Sequence, residues 1–385
     1  MSLAENTYDM ISIERHWVAT SEALKSACQA LTNADVIGVD TEFMRETTFH
    51  PIPALIQLGT RECVYLIDPQ AVAPNAELKT LMGPDGPLKL LHACSEDMDI
   101  FSLWLGDVPR PLVDTQIAQG LLGGETAMSY QRLVAYWLDE NIPKDATRSN
   151  WLARPLSEEQ CAYAALDVAY LPDIWKAQQE RLRQHDRLGW LEADCAQLVD
   201  AARTPRDDAQ WFKRHRQAWR LSPRQLAALQ RLCTWREGEV RTRDIPRGRL
   251  ASDALLYTIA EAMPKNRYEL AQLEDIKPTM VKREGDAILA IVREALALDE
   301  DSLPEALPSP LSPPFKKRLK ALKKVIAARA EGLEIEPELL ARRRELEAWV
   351  AADLASRPLP INEGWRSELL ADEIRKALIT LEENA

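Results

Sequence analysis

A short apolar run that ends in two acidic residues constrains this chain more than any other feature. Val36-Ile-Gly-Val39 leads directly into Asp40-Thr41-Glu42, and an apolar run of that length with branched residues predicts a buried strand. Alternate side chains of a strand share one face, so Asp40 and Glu42 are expected to point the same way. Two such carboxylates repel each other and lose hydration, which favours a cation between them. The alternative is a solvated strand end with Thr41 facing inward.

A second acidic pattern lies in an alanine-rich stretch that is typical of a helix. Tyr163 and Asp167 are spaced i to i+4, which places them on the same helix face. Ser157 and Gln160 form a capping-box pattern that predicts a helix start near Glu158. A tyrosine and an aspartate at this spacing usually make an ordinary half-buried contact, so the pair gains meaning only beside other acids.

A third pattern, over residues 89–101, predicts a strand, a turn and a helix. Ser95 is the expected N-cap, which puts Asp97 in the first helical turn, where a carboxylate suits the helix dipole. Taken alone, Asp97 is best interpreted as a residue that stabilises the helix end. Its position between the other two acidic patterns instead favours a shared site.

The order of these three patterns resembles the DEDD exonuclease superfamily, and the tyrosine is typical of its DEDDy branch. The similarity extends beyond the acidic residues and is closest to the ribonuclease D family, over most of residues 10–200. The segments that carry it are Val39–Phe43, Leu55–Leu58, Ser95–Asp97, Asp114–Ala118, Trp151–Leu156 and Tyr163–Val168.

The resemblance implies a 3′–5′ exoribonuclease that removes mononucleotides from precursor tRNA and other structured RNA ends by a two-metal-ion hydrolytic mechanism. It implies that Asp40 bridges two divalent ions, that Glu42 and Asp167 complete the first ion's ligands, and that Asp97 supports the second. Four carboxylates without clustered Cys or His residues suit Mg²⁺ or Mn²⁺ better than zinc.

The family resemblance also assigns roles around these acids. A phenol with a pKa of about 10 is a poor general base at neutral pH, so Tyr163 is expected to hold the attacking water by a hydrogen bond. The residues expected to contact the substrate are Thr41, Phe43, Met44 and His92.

Strand patterns come first and helical patterns follow, which indicates a mixed α/β sheet for the catalytic domain. The strands are predicted at 36–43, 54–58, 62–67 and 88–92. By resemblance the catalytic domain has the α/β ribonuclease H-like fold of the DEDD exonucleases, and two all-α HRDC-type domains follow it. The predicted limits are 1–203 for the exonuclease domain, 208–298 for the HRDC domain, 299–314 for a proline-rich linker and 315–385 for a second, divergent HRDC-like domain.

The charge distribution bears on nucleic-acid binding. The 385-residue chain has a net charge of −12, yet residues 203–249 hold 13 Lys and Arg against 5 Asp and Glu. Basic surfaces bind polyanions, so Arg214, Arg216 and Arg220 are predicted to contact RNA. A second basic cluster spans 316–324. A solvated helix face is the alternative for both. Trp235 and Tyr257 could stack on bases, although aromatic residues in helical apolar periodicity usually belong to a core.

Six scattered cysteines without a Cys-x-x-Cys pair are expected to be reduced thiols. No leader pattern and no uncharged run of membrane-spanning length occur in the sequence. These features predict a cytoplasmic protein without a membrane partner. The resemblance implies that RNA is the partner. A three-domain chain with its own basic surfaces is expected to work as a monomer. Two alternatives to the exoribonuclease remain open: a DEDDy DNA exonuclease in repair, and a catalytically silent nucleic-acid-binding protein.

Overall fold

The structure is a computed structural model, and it describes residues 13–142, 149–205, 207–361 and 363–383. The chain forms two compact units. The first contains residues 1–44, 51–205 and 327–340, and the second contains residues 45–50, 206–326 and 341–385. Among the described residues, no helix is long and apolar enough to span a lipid bilayer.

The first unit is built on a six-stranded mixed sheet with the order β1-β4-β3-β2-β5-β6. β2 lies in the interior of the sheet, antiparallel to β3 and parallel to β5. β4 pairs antiparallel with β3 and parallel with β1, and β6 pairs parallel with β5. The strands are β1 (Glu14–Val18), β2 (Val36–Met44), β3 (Ile52–Gly59), β4 (Cys63–Ile67), β5 (Leu88–Leu91) and β6 (Leu112–Asp114).

Helices accompany this sheet, and α6 packs directly against β2, β3 and β4. The helices of the first unit's main segments are α1 (Ser21–Leu31), α2 (Ala76–Met82), α3 (Ser95–Trp104), α4 (Thr115–Leu121), α5 (Tyr130–Leu138), α6 (Glu158–Ala169), α7 (Leu171–Gln184) and α8 (Leu188–Arg203). Ser157 and Gln160 form the predicted capping box, and α6 begins at Glu158 as expected.

Two predictions about local structure need correction. The four predicted strands are present with shifted ends, but the prediction missed β1 and β6. β1 reads Glu-Arg-His-Trp-Val and β6 has only three residues, so neither carries an apolar run long enough to stand out. Ser95 is also not the N-cap of α3. The cap is Cys94, which makes no side-chain capping bond, and Ser95 is the first helical residue. Asp97 nonetheless lies in the first turn, as predicted.

The second unit is helical. Its core consists of buried leucine, isoleucine and alanine side chains, and Trp235 and Tyr257 pack against it. The core interpretation of these two aromatic residues is therefore the one that the structure supports. The remaining helices of the chain are α9 (Pro223–Arg243), α10 (Arg247–Leu250), α11 (Asp253–Ala262), α12 (Arg267–Ala271), α13 (Pro278–Leu296), α14 (Pro313–Leu333), α15 (Pro337–Leu340), α16 (Arg343–Leu354) and α17 (Trp365–Glu383), with 3₁₀ turns at Asp208–Arg214, Ala218–Arg220 and Glu300–Ser302.

Residues 45–50, which follow β2 in the chain, belong to the second unit. The carboxylate of Asp244 accepts hydrogen bonds from the backbone N–H groups of Phe49 (3.0 Å) and His50 (2.9 Å). Asp244 has a left-handed backbone conformation at the end of α9 (φ 48°), which aspartate tolerates better than most residues. The contact pattern departs from the predicted domain limits in this segment, which lies within 1–203, and in residues 327–340, which belong to the first unit although the prediction placed them in the 315–385 domain.

Candidate active site

β2 brings the first two acids together. Asp40 and Glu42 are both half-buried, while Thr41 between them is 6% exposed. Carboxylate oxygens of Asp40, Glu42 and Asp167 all lie within 4.8 Å of one another. The structure thus gathers acids from β2 and α6, as the prediction of a shared site requires. The alternative of a strand end with both acids in solvent does not describe this geometry.

A glycine allows the helix that carries Asp167 to come this close. Gly38 lies on β2 below the acids, and a Cβ atom built there would be 2.3 Å from the carbonyl oxygen of Val168 on α6. Real side chains do not make so short a contact, so any other residue would force α6 and β2 apart. Close packing at Gly38 therefore fixes the approach of Asp167 to Asp40.

Asp97 joins the acids from the start of α3. Its carboxylate accepts a hydrogen bond from the hydroxyl of Thr41, and its charge raises the pKa of both Asp40 and Glu42. Asp97 is 8% exposed and lies outside the group of three acids described above. The geometry therefore distinguishes a tight trio from a fourth carboxylate that is held by a neighbouring strand residue.

The electrostatics of the four acids are unfavourable in the absence of a cation. Burial, followed by the charges of Asp97, Asp167 and Glu42, raises the pKa of Asp40 well above its ordinary range. Burial and the charges of Asp167 and Asp97 raise the pKa of Glu42 to about 8. Burial likewise raises the pKa of Asp97 to about 6 and that of Asp167 by a large amount. Such a cluster either takes up protons or binds a cation.

Tyr163 lies on the same face of α6 as Asp167, and its phenol is close enough to the Asp167 carboxylate for that charge to raise the pKa of the phenol. Burial, then the charges of Asp167, Glu42 and Asp40, raise the pKa of the phenol above its usual value. The ring of Trp151 stands 6.2 Å away, centroid to centroid. The phenol of Tyr163 is therefore protonated at neutral pH in the metal-free protein.

Comparison with known proteins agrees with this geometry. A family model described as 3′–5′ exonuclease matches residues 15–183, one described as HRDC domain matches 225–292, and one described as the ribonuclease D C-terminal HRDC domain matches 313–374. Ribonuclease D of Pseudomonas paraeruginosa is 38% identical over 368 residues, which cover 95% of this chain and 98% of the relative. The chain belongs to the ribonuclease D family of 3′–5′ exoribonucleases.

Other relatives give the same family. Ribonuclease D of Escherichia coli is 34% identical over 371 residues, which cover 94% of this chain and 97% of the relative. The crystal structure of the E. coli enzyme, described as an exoribonuclease involved in structured RNA processing, matches with a TM-score of 0.87 at 31% identity. That match covers 96% of this chain and 99% of the other. The predicted family, fold class and exoribonuclease function are therefore confirmed, while the exact domain limits stay a prediction.

The sequence analysis of this ribonuclease D family member did not identify Gln57 as a candidate site residue. Gln57 pairs with Asp40 across the β2–β3 ladder, and directly opposed residues of antiparallel strands have their side chains on the same face. Gln57 is fully buried, and neither atom of its amide has a hydrogen-bond partner in the described part of the chain. A glutamine within the apolar segment Ala54–Leu58 was the signal that could have revealed it.

The predicted substrate-contact residues occupy different environments. Phe43 and Met44 are half-buried at the end of β2, after a register shift at Glu42/Phe43. His92 has both ring nitrogens in polar contacts, with the Thr115 hydroxyl at 3.0 Å and the Met128 carbonyl at 2.9 Å. A role of His92 in substrate binding stays a prediction, as do those of Phe43 and Met44.

The structure also groups ligand types that the sequence analysis had judged to be unclustered. Glu14, His16 and Cys63, on the neighbouring strands β1 and β4, have possible ligand atoms within 4.8 Å of one another. Glu14 and His16 are exposed, and the His16 Nε2 atom lies 3.0 Å from the Glu14 carboxylate. Parallel pairing of β1 with β4 places Glu14 opposite Cys63, a juxtaposition that 49 residues of separation conceal in the sequence.

Proposed function

We propose that this exoribonuclease depends on divalent metal ions and that Asp40, Glu42, Asp97 and Asp167 hold two of them, Mg²⁺ or Mn²⁺. The observation that carries the proposal is the trio of carboxylates whose oxygens lie within 4.8 Å of one another. Their raised pKa values show that the ionised carboxylates repel one another, and a bound cation would relieve that repulsion.

The donor set also suits these ions chemically. All four acids offer hard oxygen ligands, which Mg²⁺ and Mn²⁺ prefer, and the group contains no thiol or imidazole. Gln57 adds a buried, unpaired amide opposite Asp40. Buried amides normally have hydrogen-bond partners, so this one supports a polar occupant, such as a water molecule, next to the acids.

The chain's own residues then have separable roles. Bound divalent ions lower the pKa of an attacking water and stabilise the leaving oxygen of a phosphodiester. Asp40, Glu42, Asp97 and Asp167 would supply the ligands. Thr41 holds the Asp97 carboxylate through its hydroxyl. Tyr163, whose pKa is raised by burial and by the charge of Asp167, would hold the attacking water in place rather than remove its proton.

The proposed substrates are precursor tRNA and other structured RNA, with release of mononucleotides from the 3′ end. The E. coli relative described as acting in structured RNA processing supports this choice, since the similarity covers 96% of the chain. We further propose that the protein works in the cytoplasm as a monomer.

The test is trimming of a 5′-labelled tRNA precursor with Mg²⁺, Mn²⁺ or EDTA. Asp40→Asn should abolish mononucleotide release while the protein stays folded. Asp35→Asn, the same change at an exposed residue just before β2, is the matched control and should trim normally. Activity of the wild type in EDTA, or an active Asp40→Asn protein, would refute the proposal. Faster degradation of a matched single-stranded DNA would instead indicate a DNA exonuclease.

A further inference from the structure

The second unit contains a groove of about 910 Å³ that is lined by basic residues, and we call it the basic groove. It is formed by the segment before α9, the proline-rich segment before α14, the start of α16 and the chain just after α16. None of its lining residues falls within 225–292, the match to the HRDC family model, whereas Phe315 and the lining residues from Arg343 to Pro360 lie within 313–374, the match to the ribonuclease D C-terminal HRDC model. Its basic lining residues are Lys213, Arg214, Arg216, Arg343, Arg344 and Arg357.

The charge of the basic groove is concentrated for a protein whose net charge is −12. Six Lys and Arg line it, and Glu347 is the one carboxylate among the described lining residues. Two of the six cations pair with acids: Arg343 with Glu347 at 2.8 Å and Arg357 with Glu305 at 2.9 Å. Lys213, Arg216 and Arg344 are exposed, so an anion can reach them.

Four other arginines of the basic stretch 203–249 form ion pairs within the second unit. An acid therefore offsets the charge of each of these arginines. The pairs are Arg236 with Asp253, Arg241 with Asp208, Arg243 with Glu284 and Arg247 with Glu237. Three other cations of this stretch line the groove: Lys213, Arg214 and Arg216. Of the predicted contact residues, Arg214 and Arg216 line it and Arg220 does not.

Most of the other lining residues are apolar. Trp219 is half-buried, with the Arg220 guanidinium 5.2 Å from its ring centroid. Leu307, Pro308 and Phe315 add further apolar surface. Proteins bind single-stranded nucleic acid by placing cations along the phosphate backbone and aromatic side chains against the bases. The basic groove offers both. A duplex hides its bases and would leave this apolar surface uncovered.

We propose that the basic groove binds a single-stranded segment of RNA through its phosphates, with a base against Trp219. This RNA-binding site is separate from the carboxylates, and it retains the body of the substrate while the 3′ end is trimmed. The inference rests on the proposed RNA-degrading function, but its binding step can be measured without cleavage.

The experiment compares two triple charge reversals in the Asp40→Asn background, which keeps the RNA intact. The groove variant carries Lys213→Glu, Arg216→Glu and Arg344→Glu. The control variant carries Lys25→Glu, Lys79→Glu and Lys176→Glu, three exposed residues of the first unit that do not line the groove. Both change the net charge equally. Binding of a fluorescent oligoadenylate is measured by anisotropy over a range of salt concentrations, and circular dichroism verifies folding.

The groove variant should bind at least about tenfold more weakly at low salt, and its salt slope should fall by about 2, since each phosphate contact to a single strand contributes about 0.7. The control variant should stay close to the parent. Equal losses of RNA affinity in the two variants would show that only the total charge of the protein matters. Unchanged affinity of the groove variant would show that the groove does not contact RNA. Either result overturns the proposal. Should the groove variant not fold, the three glutamine substitutions at the same positions provide the same comparison.

A second readout separates this inference from the proposed function. With Asp40 restored, the groove variant should cleave a labelled dinucleotide at the normal rate but degrade long RNA with a raised KM. Failure of the unmodified protein to cleave the dinucleotide with any metal would refute the proposed function. The anisotropy data would still show whether the basic groove binds RNA. The groove substitutions should weaken binding of single-stranded RNA more than binding of a duplex. The opposite result would refute the proposed preference for single strands.

Discussion

Replacing Glu42 with glutamine should stabilise the metal-free protein, and the gain should grow as the pH rises. Burial and the charges of Asp167 and Asp97 raise the pKa of Glu42 from 4.5 to about 8. Between these two values the folded protein binds more protons than the unfolded chain, so the free energy of unfolding falls as pH increases. The contribution of Glu42 is fully present below about pH 4.5 and is lost as the pH rises through about 8.

The size of the effect follows from that change in proton affinity. Each tenfold change in proton affinity corresponds to about 1.4 kcal/mol. Ionised Glu42 would therefore destabilise a rigid folded state by up to about 5 kcal/mol above pH 8. Relaxation of the cluster and entry of water reduce this value, and we expect a gain of about 2 to 3 kcal/mol for Glu42→Gln at about pH 9. Near pH 4 the variant and the wild type should be equally stable.

Urea denaturation in EDTA, followed by circular dichroism from about pH 4 to pH 9, measures this difference. Glu192→Gln, at an exposed position of α8, is the matched control and should leave stability unchanged at every pH. Added Mg²⁺ should stabilise the wild type more than Glu42→Gln, because the variant has lost a ligand charge. A variant that is no more stable than the wild type at high pH would refute the electrostatic account of the site.

Three further predictions concern single residues around the acids. Tyr163→Phe should leave the fold intact but lower turnover on RNA by about tenfold to a hundredfold, the scale of a lost positioning group; unchanged turnover in a single-turnover assay would exclude its role. Gln57→Met should raise the urea midpoint of the metal-free protein, because a buried unpaired amide costs about 1–3 kcal/mol, and it should lower activity; a destabilised variant would show that the amide has partners. Gly38→Ala should cost about 1–3 kcal/mol and reduce activity together, because its Cβ would meet the Val168 carbonyl at 2.3 Å; wild-type melting and trimming would mean that α6 moves without disturbing Asp167.

The sequence was most informative where a local pattern carries the chemistry. Asp40 and Glu42 alternate on one strand, and Tyr163 and Asp167 recur after one helical turn, so periodicity alone placed each pair on one face. The capping box at Ser157 and Gln160 gave the start of α6 to the residue. The predicted N-cap of α3 was wrong, because serine is a preferred N-cap residue and not a required one. The backbone geometry places Cys94 at the N-cap position instead.

Relations between distant segments were not accessible in this way. Spacing does not reveal that Gln57 faces Asp40, since that depends on the register of the β2–β3 ladder. Nor does it reveal that Cys63 joins Glu14 and His16, which depends on the pairing of β1 with β4.

The sequence by itself determined the chemistry of this protein: four carboxylates and a tyrosine in an order that identifies the family, and a local surplus of arginine. Only the tertiary structure decided how those groups act. Close packing at Gly38 brings Asp167 to Asp40, and burial raises the pKa values that favour a bound cation. Ion pairs engage most of the arginines of α9, because an acid 41 residues away in sequence, such as Glu284 for Arg243, becomes a neighbour only in the fold. The fold likewise brings cations from distant segments together in the basic groove.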